Sequence, residues 1–116
     1  MVLLDTGVTV LRDAMSSDFS SGQAGTGTFP TFETQTSLFT PVATTLNTLS
    51  TNIKSKNIIT LTHVVTIAEA NGSTLAEWEI LGNSDGTDYN RIVLSGLVKS
   101  STTEITMIQV FSITRI

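Results

Sequence analysis

The stretch Ile58-Ile-Thr-Leu-Thr-His-Val-Val-Thr-Ile67 decides the fold. Ile59, Leu61, His63, Val65 and Ile67 alternate with Thr60, Thr62, Val64 and Thr66, a period of two sustained over nine residues. On a helix these apolar side chains would scatter around the axis, whereas a strand places them all on one face. Threonine, valine and isoleucine are stiff at χ1 and pack well on a pleated surface, which reinforces the strand reading.

Downstream, Ala70-Asn-Gly-Ser73 supplies a turn, because Asn-Gly tolerates positive φ. In the next segment, Leu75 to Leu81, Ala76, Trp78 and Ile80 fall on one face and Glu77 and Glu79 on the other. A second turn, Gly82 to Asp88, leads to an apolar run from Tyr89 to Val98. The connection Lys99 to Thr103 precedes a closing strand from Glu104 to Ile116, whose apolar phase shifts between Met107 and Ile108. That shift predicts a bulge or burial on both faces. Four strands with short polar connections predict an antiparallel meander or half of a sandwich.

Upstream the pattern weakens. Leu4, Val8, Leu11 and Met15 recur at helical spacing, with Asp5 or Thr6 to cap the start and Ser16-Ser17 to end it, which predicts one helix of about three turns. From Ser16 to Asn57 the chain is polar and rich in Thr, Ser and Gly, with Phe29, Phe32, Leu38, Phe39, Val42, Leu46 and Leu49 spaced along it. Long unstructured stretches are uncommon inside compact domains, so this segment is expected to mix short strands with an arm packed on a neighbouring subunit. The fold expected is therefore all-β, an antiparallel β-sandwich or jelly roll with one short N-terminal helix and an extended N-terminal arm. It forms a single domain, with helix and arm over 1–57 and strands over 58–116.

Composition narrows the function. The 116 residues include only 14% charged ones, with 40% hydrophobic and a net charge of −4; the pI is near 4.6 and the mean hydropathy +0.23. Six Lys and Arg residues spread along the chain cannot build a phosphate-tracking stripe, so neither nucleic acid nor an anionic membrane surface is an expected partner. Cysteine is absent, which removes disulfides, thiol nucleophiles and thiolate metal sites. Met-Val-Leu-Leu-Asp5 lacks the basic region of a signal peptide, and no apolar run is long enough to span a membrane as a helix.

No motif identifies a catalytic centre or a cofactor. Gly22-Gln-Ala-Gly-Thr-Gly-Thr-Phe29 resembles a phosphate loop only in its glycines: the lysine is missing, and Phe29-Pro30 opposes the helix that should follow. ATP, GTP and NAD are not expected to bind, and the glycines are expected to turn the arm. His63 is the only histidine and lies on an apolar phase, which reads as a packed residue rather than a metal ligand or base. Glu77 and Glu79 share a face, where they read as a solvated pair or as a surface salt bridge to Arg91 worth under ~1 kcal/mol. Asn83, Asp85 and Asp88 around Gly86 lack the spacing of a calcium loop and read as turn residues. Asn71-Gly-Ser73 is a formal N-glycosylation acceptor.

The order of the pieces carries more than any one of them. Thr6-Gly7 with Arg12, Gly25-Thr-Gly-Thr28, Thr34 with Leu38, Pro41-Val42, Glu69-Ala-Asn-Gly72 with Thr74-Leu75, Glu77 with Glu79-Ile-Leu81, Arg91-Ile-Val-Leu94, Lys99-Ser-Ser101 and Glu104-Ile-Thr106 follow one another. This order resembles small virion proteins of tailed bacteriophages and tailed archaeal viruses, related to tail-fibre and head-decoration modules. It departs from that pattern at Trp78-Glu79, where a small apolar pair is usual. The resemblance implies a β-sandwich or jelly roll, assembly around a symmetry axis and no catalysis. The expected role is a structural component of the virion, as capsid decoration, turret, or tail or fibre part. Its expected partners are itself as a homotrimer and other virion proteins such as major capsid or tail proteins. Phe29, Phe32, Leu38 and Phe39 are candidate interface residues. The alternative is a receptor- or glycan-binding module that meets a host-surface glycan.

Overall fold

The structure is a computed structural model and describes residues 5–31, 35–83 and 88–114. One helix, α1 (Asp5–Asp18), leads into seven strands: β1 (Phe19–Gly25), β2 (Asn47–Thr48), β3 (Thr51–Ser55), β4 (Ile58–Val65), β5 (Thr74–Gly82), β6 (Ile92–Val98) and β7 (Ile105–Ser112). They form a four-stranded sheet in the order β2-β1-β5-β6 and a three-stranded sheet in the order β3-β4-β7. All named pairs are antiparallel. The fold is thus all-β, two antiparallel sheets with a helix at one end. A jelly roll has eight strands, and the described residues supply seven.

The alternation in β4 is realised. Ile59, Leu61, His63 and Val65 are wholly buried, while Ile67 lies in the following turn and is exposed. With Met107 of β7 they face Ala24 of β1 and Leu75, Trp78 and Ile80 of β5 across the core. Burying each large side chain there contributes about 1.5–3 kcal/mol.

Helix α1 runs to Asp18, past the stop expected at Ser16-Ser17. Val8 is buried and Met15 packs against the core, but Leu11, placed on the same stripe by its spacing, is exposed; Leu4 lies outside the described residues. The helix is pinned to β3 by a reciprocal pair: Ser16 Oγ donates to Asn52 Oδ1 and Asn52 Nδ2 to the Ser16 carbonyl, both at 2.7 Å.

Two expectations are corrected. Residues 19–25 form a central strand, so the glycine-rich stretch is not the start of an extended arm. Nor are its glycines turn residues, because only Gly72 and Gly96 have positive φ among the described glycines. They permit close approach instead: a Cβ at Gly22 would lie 2.5 Å from the His63 ring. The second correction concerns β7, which pairs with β4 in unbroken register from Val65↔Ile105 to Ile58↔Ser112. The phase shift at Met107/Ile108 therefore does not mark a bulge. It places Ile108 and Val110 on the outer face, 63% and 52% exposed. The ladder is irregular between β5 and β6 instead, where Leu75↔Leu97 gives way to Glu77↔Val93 and Gly96 takes φ +88.

Between β1 and the 3₁₀ turn Ala43–Thr45 the described residues 26–31 and 35–40 form the two limbs of an Ω-like loop. Its ends are pinched together: Thr26 N donates to the Thr40 carbonyl and Val42 N to the Ala24 carbonyl, both at 2.9 Å. This loop lies over the outer face of β5, on the molecule's own sheet.

Candidate functional site

The loop is held by Glu77. Its position in β5, opposite Gly25 of β1, sends the carboxylate to the outer face of the four-stranded sheet, where the loop covers it. Oε2 accepts from Gly27 N at 2.9 Å and Thr40 N at 2.8 Å. Oε1 accepts from Phe39 N at 2.9 Å and Arg91 Nε at 2.8 Å. Four donors thus converge on one carboxylate. Gly25 and Gly27 make room for it, since a Cβ on either would come within 2.5 or 2.6 Å of Oε2. Burial alone would raise the Glu77 pKa; the hydrogen bonds from Thr40, Arg91, Phe39 and Gly27 outweigh it and hold the carboxyl below its ordinary range.

Arg91 comes from the segment leading into β6 and completes the clasp. Its Nη1 donates to the Phe29 carbonyl at 2.8 Å and Thr31 Oγ1 at 2.9 Å, and the guanidinium sits 4.8 Å above the Phe39 ring. The expected Glu77–Arg91 pair therefore forms, but not on the surface. The side chains are 0% and 3% exposed, so the expectation of a solvated, weak pair is overturned. The loop that buries it was read from the sequence as an arm reaching a neighbour.

The four candidate interface residues separate accordingly. Leu38 is buried at 4% exposure within its own domain. Phe39 is half-covered beneath Arg91, and its ring lies 5.3 Å from that of Phe29. Phe29 is 65% exposed. Phe32 lies outside the described residues, as do Asp85 and Gly86 of the turn between β5 and Asp88.

Beside the clasp is a cavity of about 410 Å³, lined among others by Gln35 and Thr36 of the loop, Glu79 of β5, and Asp88, Tyr89 and Asn90. Asp88 to Asn90 are held along β5: Asp88 bridges Leu81, Tyr89 N donates to the Ile80 carbonyl, and Ile80 N donates to Asn90 Oδ1. Tyr89 donates its hydroxyl to Asp18, which pushes the phenol up to about 12. Glu79 does not share Arg91. Burial first, then the charges of Asp88 and Glu77, push its carboxyl up to about 8. At neutral pH Glu79 is therefore mostly protonated, in contact with a carboxylate.

His63 is a core residue. Trp78 Nε1 donates to its Nδ1 at 3.0 Å, and because an indole only donates, the histidine proton is on Nε2 and goes to the Thr45 carbonyl at 2.9 Å. Both ring nitrogens are occupied, and burial lowers the pKa, keeping the ring neutral. Sequence reasoning missed this pair, although Trp78 and His63 both lie on inward phases. It also missed Lys99, which is wholly buried and donates from Nζ to Asn71 Oδ1 at 2.9 Å and the Ser100 carbonyl at 2.8 Å. Asn71, the formal glycosylation acceptor, also donates from Nδ2 to the Ile67 carbonyl at 3.0 Å.

No protein-family model, no curated protein and no solved structure matches this chain. Among the described residues no helix is long and apolar enough to cross a membrane.

Proposed function

We propose that the protein is a structural component of a virion, a decoration, turret, or tail or fibre module that works by associating with copies of itself and with other particle proteins. The order of sequence motifs supports the virion part of this reading. The outer face of the β3-β4-β7 sheet supports the self-association. Thr51 and Ile53 of β3, Thr60 and Thr62 of β4, and Ile108 and Val110 of β7 stand in two cross-strand rows, Ile53-Thr60-Val110 and Thr51-Thr62-Ile108. Ile53 is 58% exposed, and no charged residue interrupts either row. Three exposed branched apolar side chains set among threonines on an uncharged face suit an interface, and β3 and β7 are open sheet edges beside it.

Glu77, Arg91 and His63 are each occupied by internal hydrogen bonds, so these three groups serve the chain's own architecture. The described part of the arm is clasped to its own sheet and leaves Phe29 exposed on its outer side.

Light scattering coupled to size-exclusion chromatography tests the reading. The wild type is expected as a closed homo-oligomer, with a trimer favoured, and Ile108→Lys with Val110→Lys as a monomer with unchanged circular dichroism. A wild-type monomer at about 100 µM would remove the self-association. Immunogold labelling of purified particles tests the virion assignment separately.

A further inference from the structure

Among the described residues four strands end a sheet, and three of them are guarded. β2 has only two residues. β3 carries Lys54, ion-paired with Asp13 of α1 at 3.4 Å, and Asn52, tied to Ser16 of the same helix. β6 is broken by the irregularity at Gly96. Short edges, edge lysines, a covering helix and bulges all keep a strand from pairing with another chain. β7 has none of these devices: Ile105 to Ser112 runs in unbroken register with β4 and contains no charged residue, proline or glycine. We propose that β7 pairs antiparallel with β7 of a second copy across a two-fold axis at Gln109, joining the two three-stranded sheets into one.

The backbone decides which residues can meet. Just beyond the pair Ile58↔Ser112, Ile113 N donates to the Asn57 carbonyl at 2.9 Å. In an antiparallel strand the N–H and C=O of one residue point to the same side, and successive residues alternate. Ile105, Met107, Gln109 and Phe111 therefore bond to β4, while Thr106, Ile108, Val110 and Ser112 turn their N–H and C=O to the open side. Thr62, opposite Ile108, agrees: its carbonyl accepts from Ser50 N at 2.9 Å, on the β3 side. The four outward residues also have exposed side chains. They must meet outward residues of the second copy, which restricts the two-fold axis to a residue position. At Gln109 the axis sets Ile108 against Val110 and Thr106 against Ser112, apolar on apolar and hydroxyl on hydroxyl. At Ile108 it would set Thr106 against Val110, and at Val110 it would set Ile108 against Ser112. This match of the strand with itself identifies the occupant as a second copy. An uncharged edge brings no like charges together, although the chain carries a net charge of −4. A charged strand would find no counter-ion on β7.

The inference rests on the self-association proposed above, narrows it to an even number of copies and sets the trimer aside. Because the chain has no cysteine, introduced thiols test the register on the full chain. Ile108→Cys and Val110→Cys, both at exposed positions, are prepared as separate proteins, then oxidised mildly alone and as an equal mixture. Across the axis at Gln109, positions 108 and 110 lie directly opposite, with Cα atoms about 5.5 Å apart, inside the span of about 4.4–6.8 Å that a disulfide bridges. Two copies of position 108, or two of position 110, are diagonal neighbours about 7–8 Å apart, beyond that span. The mixture is expected to give about tenfold more disulfide-linked dimer than either variant alone. No excess from the mixture, or equal linking by Ile108→Cys alone, would overturn the pairing. Light scattering of the wild type separates the two readings: an even multiple of the chain mass supports the pairing. A trimer overturns it and leaves self-association standing, and a monomer at about 100 µM removes both.

Discussion

A single carboxylate, Glu77, joins three parts of the molecule that the chain keeps far apart: Gly27, the Phe39-Thr40 pair and Arg91. Because Arg91 is buried with it, Glu77→Gln leaves a cation without its counter-charge and is expected to cost about 3–5 kcal/mol in urea denaturation. A double-mutant cycle with Arg91→Met should show coupling of several kcal/mol, far above a surface pair. Glu79, two residues on, behaves oppositely. Its folded pKa is raised from 4.5 to about 8, so the folded protein holds a proton that the unfolded chain has released. That contribution is complete below the unfolded value and declines as pH rises towards the folded one, by up to about 1.4 kcal/mol per pH unit. His63 acts in the other direction below its ordinary 6.5, because folding keeps its ring neutral. Denaturation midpoints between about pH 6.5 and 8 therefore isolate Glu79, and Glu79→Gln is expected to abolish the fall in stability across that window.

At the scale of elements, the two described limbs of the Ω-like loop are latched to β5 from below by Glu77. Leu38 and Phe29 sit on them and should respond differently. Leu38→Ala removes a buried side chain and is expected to cost about 2–5 kcal/mol, while Phe29→Ser changes an exposed one and should stay within about 1 kcal/mol. Thermal melts of the two variants check this, and equal losses would show that Phe29 is covered. Gly27→Ala places a Cβ against Glu77 Oε2 and should release the loop, seen as protease cleavage within residues 26–40 while the sheets stay folded. The elements themselves differ in how far the sequence disclosed them. β4 was legible because one face is core and the other is not. β1 was not, because Phe19-Ser-Ser-Gly-Gln-Ala-Gly25 has neither strong alternation nor β-branched residues. It is a strand because its small residues let His63 and Glu77 approach it from opposite faces.

For the whole molecule, the proposed self-association falls on the outer face of the β3-β4-β7 sheet. Ile53, Ile108 and Val110 are each more than half exposed, and pairing them with a second copy would recover about 25 cal/mol for each Å² of apolar surface removed from water. The double lysine variant at Ile108 and Val110 should therefore abolish assembly without lowering the melting temperature of the domain by more than a few degrees. A variant that stays oligomeric would move the interface elsewhere, for instance to the exposed Val93, Leu97 and Val98 of β6.

By itself the sequence determined the all-β class, the helix at its start, the β4 face, the β5-β6 hairpin and the pairing of Arg91 with the Glu77 face. All of these follow from local periodicity, turn chemistry or neighbours along one hairpin. Only the tertiary structure decided that β1 is a central strand, that the glycines make room for side chains, that the Glu77–Arg91 pair is buried and that Glu79 is left protonated beside a cavity. The physical reason is the same in each case. Burial and hydrogen bonding at these residues depend on a loop some forty to fifty residues away in the chain, folded back over the sheet, and periodicity along the chain carries no record of what covers a face.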